Sequence, residues 1–197
     1  MDKLCEHILL PQNIIWIIVI VMFLFGKFGL KLEYISIAGI IKNHLQCFRG
    51  SDGKLKSIPI INYMIIPFLM GSATTLVKKI DGDTINIITI IISILTAMLF
   101  TLLTLVIEMK AKIKKDPSYY SSEAQASKRS LLETYYTVMF EILVSIVLLV
   151  LCFFNCFTNC FGYIQSFLIY SLTYLLIINL LMIIKRIFRV IDVDMNK

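Results

Sequence analysis

Residues 85–107 read INIITIIISILTAMLFTLLTLVI, a run without a charged side chain, Pro or Gly. A helix that crosses hydrocarbon needs about 20 predominantly apolar residues, and this stretch supplies them. Four more segments of the same kind flank it, at 14–30, 58–77, 137–157 and 163–184. The pattern predicts an all-α, polytopic membrane helix bundle with about five transmembrane helices in a single domain over 1–197.

The composition supports this reading. Hydrophobic residues make up 58% of the chain and charged residues 16%, with a mean hydropathy of +0.85. A soluble domain carries roughly 45–50% apolar and about 25% charged residues. The polar stretches between the spans are too short to build a core of their own. Segment 14–30 is the shortest and carries Lys27. If it lies on the surface or re-enters, four spans remain. Asp2, Lys3 and Glu6 precede it, with neither a cationic leader nor a small-residue cleavage site, so it reads as a retained helix. Pro59 sits at a helix entry, where its missing N–H is harmless. Pro67 is mid-span and predicts a kink.

The connections set the topology. One side carries Lys27, Lys31, Lys42, Arg49, Lys54, Lys56, Lys110, Lys112, Lys114, Lys115, Lys128, Arg129, Lys185, Arg186, Arg189 and Lys197. The other carries Lys3, Lys78 and Lys79. Positive residues stay in the cytoplasm, so the C-terminus is expected inside, at the cell inner membrane, and the N-terminus outside. The same bias explains the net charge of +6. The basic residues are scattered and lack a docking fold, so no direct nucleic acid binding is expected.

Two cytoplasmic segments carry structure of their own. Residues 34–48 read as a helix, followed by a turn at Gly50, Ser51, Asp52 and Gly53. It either lies on the inner interface with Ile37, Ile40, Ile41 and Leu45 toward lipid or extends the first span into the cytosol. Residues 108–136 read as a helical hairpin. Asp116 and Pro117 break the first arm and start the second, and Ser130-Leu-Leu-Glu133 matches a capping box ahead of the fourth span. Lys110, Lys112, Lys114, Lys115, Lys128 and Arg129 on this hairpin are the partner-docking candidates. The simpler reading is a basic loop that only sets orientation.

Residues for catalysis are not apparent. His7 and His44 fall on opposite sides, neither with a second ligand at metal spacing. No phosphate-binding glycine loop occurs. Neither enzyme activity, metal nor cofactor is expected. Cys47 is a juxtamembrane acylation candidate. Cys152, Cys156 and Cys160 recur every four residues, either as small packing residues or as material for an outside disulfide.

Two polar stripes remain. Asn86, Thr89, Ser93, Thr96, Ala97 and Thr104 share one face of the third span. Glu141, Ser145, Cys152, Asn155, Cys156 and Asn159 share one face of the fourth. They read either as close-packing surfaces or as the lining of a water path, within one subunit or at the axis of an oligomer. A carboxylate such as Glu141 inside a span faces protein or water, although a position one turn from the boundary makes it interfacial instead. Gly71, Ser72, Ala73, Thr74 and Thr75 allow close backbone approach in the second span.

Lys54-Leu-Lys-Ser-Ile-Pro-Ile60, the Pro67-centred span and Leu131-Leu-Glu-Thr-Tyr-Tyr136 sit in a layout that resembles KwaA, the membrane subunit of the bacterial Kiwa antiphage system. That family has four spans, against the five counted here. The resemblance implies a homo-oligomer, a tetramer if it holds. It also implies an inner-membrane subunit that responds to phage at the envelope and scaffolds a soluble cytoplasmic partner like KwaB. It transfers no site residues. The alternative is a small oligomeric channel or pore-forming effector.

Overall fold

The computed structural model describes residues 37–49, 56–115, 122–155 and 162–195. The segment at 14–30, the turn at 50–53, the Asp116-Pro117 break, Cys156, Asn159 and Cys160 lie outside them. The chain divides into units Met1–Gly39 and Ile40–Lys197, and the second is the one described.

Every element is helical. Helix α1 spans Ala38–Gln46, α2 Ser57–Val77, α3 Gly82–Lys115, α4 Ser122–Asn155 and α5 Tyr163–Met195. Four of these, α2 to α5, are long and apolar enough to cross a membrane. Large apolar side chains face outward along all four, among them Leu69, Ile90, Phe153 and Leu181. In water such faces would drive aggregation; in lipid they are solvated.

The 34 residues of α3 and of α4 make rods of about 51 Å, against a hydrocarbon layer of about 30 Å. Both therefore run well past the apolar layer. They stay packed at the end of the apolar run, with Val106 and Leu131 buried together and Met109 and Tyr135 beside them. The expected capping box is not a helix start. The helix begins at Ser122, so Ser130 lies in its interior, and its carbonyl accepts from Thr134 Oγ1 at 2.8 Å.

Pro67 acts through a change of helical register. Residues Ile61–Ile65 form a π-helical turn, and Pro67 falls at the start of the α-helical stretch Ile66–Val77 that follows. Proline has no N–H and its ring crowds the carbonyl four residues earlier, and a wider turn relieves that clash.

The spatial order is α2, α5, α4, α3. The windows of α4 and α5 are about half buried and those of α2 and α3 far less, so α4 and α5 form the inner pair. The main core joins Ile88 and Ile92 of α3, Val144 and Leu148 of α4, and Ile169 and Leu176 of α5. Outside the layer, the turn from α2 to α3 is fixed by Asp81. Its carboxylate accepts from Thr84 N at 2.9 Å, pairs with Lys78 Nζ at 2.7 Å and is held by these bonds well below the usual carboxylate range. Ile80 N donates to Ser166 Oγ of α5 at 3.1 Å, tying the turn to the inner pair.

Candidate functional site

A polar column fills the seam between α4 and α5. Helical periodicity builds it: Glu133, Thr137 and Glu141 recur every four residues on α4, while Asn179 and Arg186 share a face of the antiparallel α5. At the charged end, Arg186 Nη1 donates to Glu133 O at 2.7 Å and to Thr137 Oγ1 at 2.6 Å. Its Nη2 lies 3.9 Å from Glu133 Oε2, too long for a hydrogen bond. Glu133 instead takes Arg129 Nε at 3.2 Å.

Helix α1 covers this end. His44 is fully buried, with its ring stacked on Phe140 of α4 at 4.0 Å and 3° and edge-on to Phe48 at 5.1 Å. Neither ring nitrogen has a partner among the described residues. Burial, reinforced by the Arg186 charge, lowers its pKa to about 3, so the ring packs as a neutral aromatic. Cys47 points inward too, its Sγ donating to Asn43 O at 3.3 Å, and burial pushes the thiol up despite nearby Arg186. A half-buried, neutral thiol of this kind is a poor acylation site.

Deeper in the seam, Glu141 and Asn179 are fully buried, and Asn179 Nδ2 donates to Glu141 Oε1 at 2.7 Å. Helix α4 begins at Ser122, so Glu141 stands in its interior. It lies eight residues from Glu133, about 12 Å along the axis, and the α4 positions flanking it, Val138 and Ile142, belong to an apolar cluster with Leu99 and Ile183.

The two predicted stripes separate. On α4, Glu141, Ser145, Cys152 and Asn155 all face inward. On α3, Asn86, Ser93, Ala97 and Thr104 face outward, with Thr89 and Thr96 half-buried. Hydroxyls on this stripe are satisfied by their own helix: Ser93 Oγ donates to Thr89 O, Thr96 Oγ1 to Ile92 O and Thr104 Oγ1 to Phe100 O. The stripes therefore do not line one path inside the described unit. Cys152 is buried in the core.

Of the hairpin cations, Lys110 and Lys112 are exposed, with Lys110 Nζ 6.0 Å from the Tyr135 ring centroid. Arg129 is engaged by Glu133, and Lys128 is half-buried. Helix α3 runs through Lys114 and Lys115. No group of three or more metal-binding side chains occurs among the described residues. Sequence reasoning missed Asn179, although it is the only amide between Thr173 and Lys185. Arg186 and Glu133 were read only as a topology charge and a cap. Comparison with protein-family models, with curated proteins and with solved structures gives no match.

Proposed function

We propose that this chain is a non-enzymatic inner-membrane subunit that scaffolds a soluble cytoplasmic partner on the paired ends of α3 and α4. The observation that carries this reading is the packing of α3 against α4 at the end of the apolar run, through Val106, Leu131, Met109 and Tyr135, with Lys110, Lys112 and Arg129 exposed there. A rigid basic projection suits an acidic protein surface, since charge complementarity sets encounter and register. The cation bias between the two sides orients this projection toward the cytoplasm. The resemblance to KwaA makes an antiphage complex the context, envelope perturbation the stimulus and a KwaB-like protein the partner, with the membrane subunit homo-oligomeric. Replacing Lys112, Lys114 and Lys115 with Glu is expected to abolish co-purification of that partner from the native host while leaving the subunit in the membrane. Undiminished co-purification would refute the docking role.

A second reading, an oligomeric channel, is favoured by the outward polar face of α3, which an axis of symmetry would gather. It predicts conductance in liposomes that changes with Ser93→Leu. Electrically silent liposomes containing the oligomer would eliminate it.

A further inference from the structure

The hydrogen bonds of the α4–α5 seam leave two atoms unmet. Glu141 Oε2 and Asn179 Oδ1 are buried without a partner among the described residues, yet they belong to two planar groups already joined by the bond from Asn179 Nδ2 to Glu141 Oε1. An ionised carboxylate and an amide oxygen both only accept, so an ionised Glu141 leaves both atoms unmet. One proton on Oε2 converts it to a donor for Oδ1. The terminal torsions of Glu and Asn are soft, so the two groups can turn into a common plane and close a cyclic pair through two hydrogen bonds.

Among the described residues, Asn179 is the one side-chain hydrogen-bond partner of Glu141. The positions flanking Glu141 and Asn179, Val138 and Ile142 on α4 and Leu180 and Ile183 on α5, belong to an apolar cluster completed by Leu99, Leu102 and Leu103 of α3. From α1 the nearest titratable ring is His44, which stacks on Phe140. Toward the charged end, Arg186 is committed to Glu133 O and Thr137, Glu133 is about 12 Å away along α4, and Lys185 is on the exposed face of α5. A bare buried charge is among the costliest arrangements in a protein.

We propose that Glu141 is a membrane-embedded proton-binding site, its proton held in a planar acid–amide pair with Asn179 that closes the seam between the inner helices. This inference is independent of the docking reading.

Infrared spectroscopy of the full chain in liposomes at neutral pH tests it. The wild type minus Glu141→Gln difference spectrum is expected to show the carbonyl stretch of a protonated carboxylic acid. In Asn179→Leu that band should move to higher frequency, because its hydrogen bonds are lost. A difference spectrum showing only carboxylate bands would overturn the proposal. Stability gives a second readout. A glutamine amide can form the same two-bond pair with Asn179, so Glu141→Gln should keep the wild-type melting midpoint while Glu141→Leu lowers it. A Gln variant destabilised as much as the Leu variant would also overturn the proposal.

Discussion

Replacing Gly71 with Ala should separate α2 from α5. A Cβ at Gly71 would overlap Ser171 Oγ and stand 2.7 Å from both Ser171 Cα and N. The hydroxyl can rotate away, but the backbone cannot. Ordinary contact begins at 3.4 Å, so the helices must part by about 0.7 Å, the difference between these two distances. Overpacking of this kind typically costs about 1–3 kcal/mol, and a backbone clash belongs at the upper end. The parting also strains the 3.0 Å contact between Thr74 Oγ1 and Tyr174 OH one turn on. Alanine regains about 0.8–1 kcal/mol of helix propensity over glycine, which leaves a net loss of about 1–2 kcal/mol. Unfolding by a denaturing detergent in mixed micelles measures it, with Ala73→Leu on the exposed face of α2 as a neutral control. Ser171→Gly should not rescue the variant, because Cα and N of residue 171 remain. A Gly71→Ala protein as stable as the wild type, or one fully rescued by Ser171→Gly, would refute the close-crossing argument.

Three further outcomes follow from the same geometry. Arg186→Met removes the bonds to Glu133 O and Thr137 Oγ1 and should lower stability by about 1.5–3 kcal/mol, the range for hydrogen bonds to a charged group, in a thermal melt in detergent; Arg186→Lys should fall between the two. His44 titrates at 6.5 in an unperturbed setting and at about 3 here. The unfolded state therefore binds the proton first, and stability should fall as pH drops from 6.5 toward 3 and stay flat above 6.5. His44→Phe keeps the stack on Phe140 and should remove that part of the acid sensitivity, as read from melting midpoints across the pH window. Asp81→Ala loses the bond from Thr84 N and the pair with Lys78, so hydrogen exchange should speed up in the first turn of α3 and not in its middle.

Much of the architecture was legible because one period recurs. The charge-free run at 85–107 already requires a spanning helix, and Gly71 with its small neighbours already marked a close crossing. The misreadings arose where a local signal competed with tertiary packing. Ser130 and Glu133 carry capping-box spacing, but the helix starts at Ser122, and the Glu133 carboxylate instead takes Arg129 one turn back on its own helix while its carbonyl accepts from Arg186 across the seam. His44 stands in the sequence without a second ligand, on a helix that reads either as interfacial or as an extension of the first span. Its burial depends on Phe140, almost a hundred positions away, and no local pattern reports that contact.

The two polar stripes show which part of such a surface a sequence can assign. Both have helical periodicity, so periodicity alone cannot say which faces protein. Donor chemistry separates them. Serine and threonine in a helix give their proton to the carbonyl four residues back, as Ser93, Thr96 and Thr104 do, and so they can face lipid without an unmet group. A carboxyl in mid-helix finds no free backbone N–H, because each is already bonded within the helix. It must meet another element, and the side chain opposite must carry a donor. Glu141 is the one such residue on α4 between Glu133 and Asn155, and Asn179 is the one amide on α5 between Thr173 and Lys185. Antiparallel packing of two helices brings them level at 2.7 Å. The same rule predicts that exchanging them, Glu141→Asn with Asn179→Glu, should keep more of the wild-type stability than either single change, because the acid and the amide still face each other across the seam. A double variant no more stable than the sum of its singles would mean that shape, and not the donor–acceptor match, holds α4 to α5.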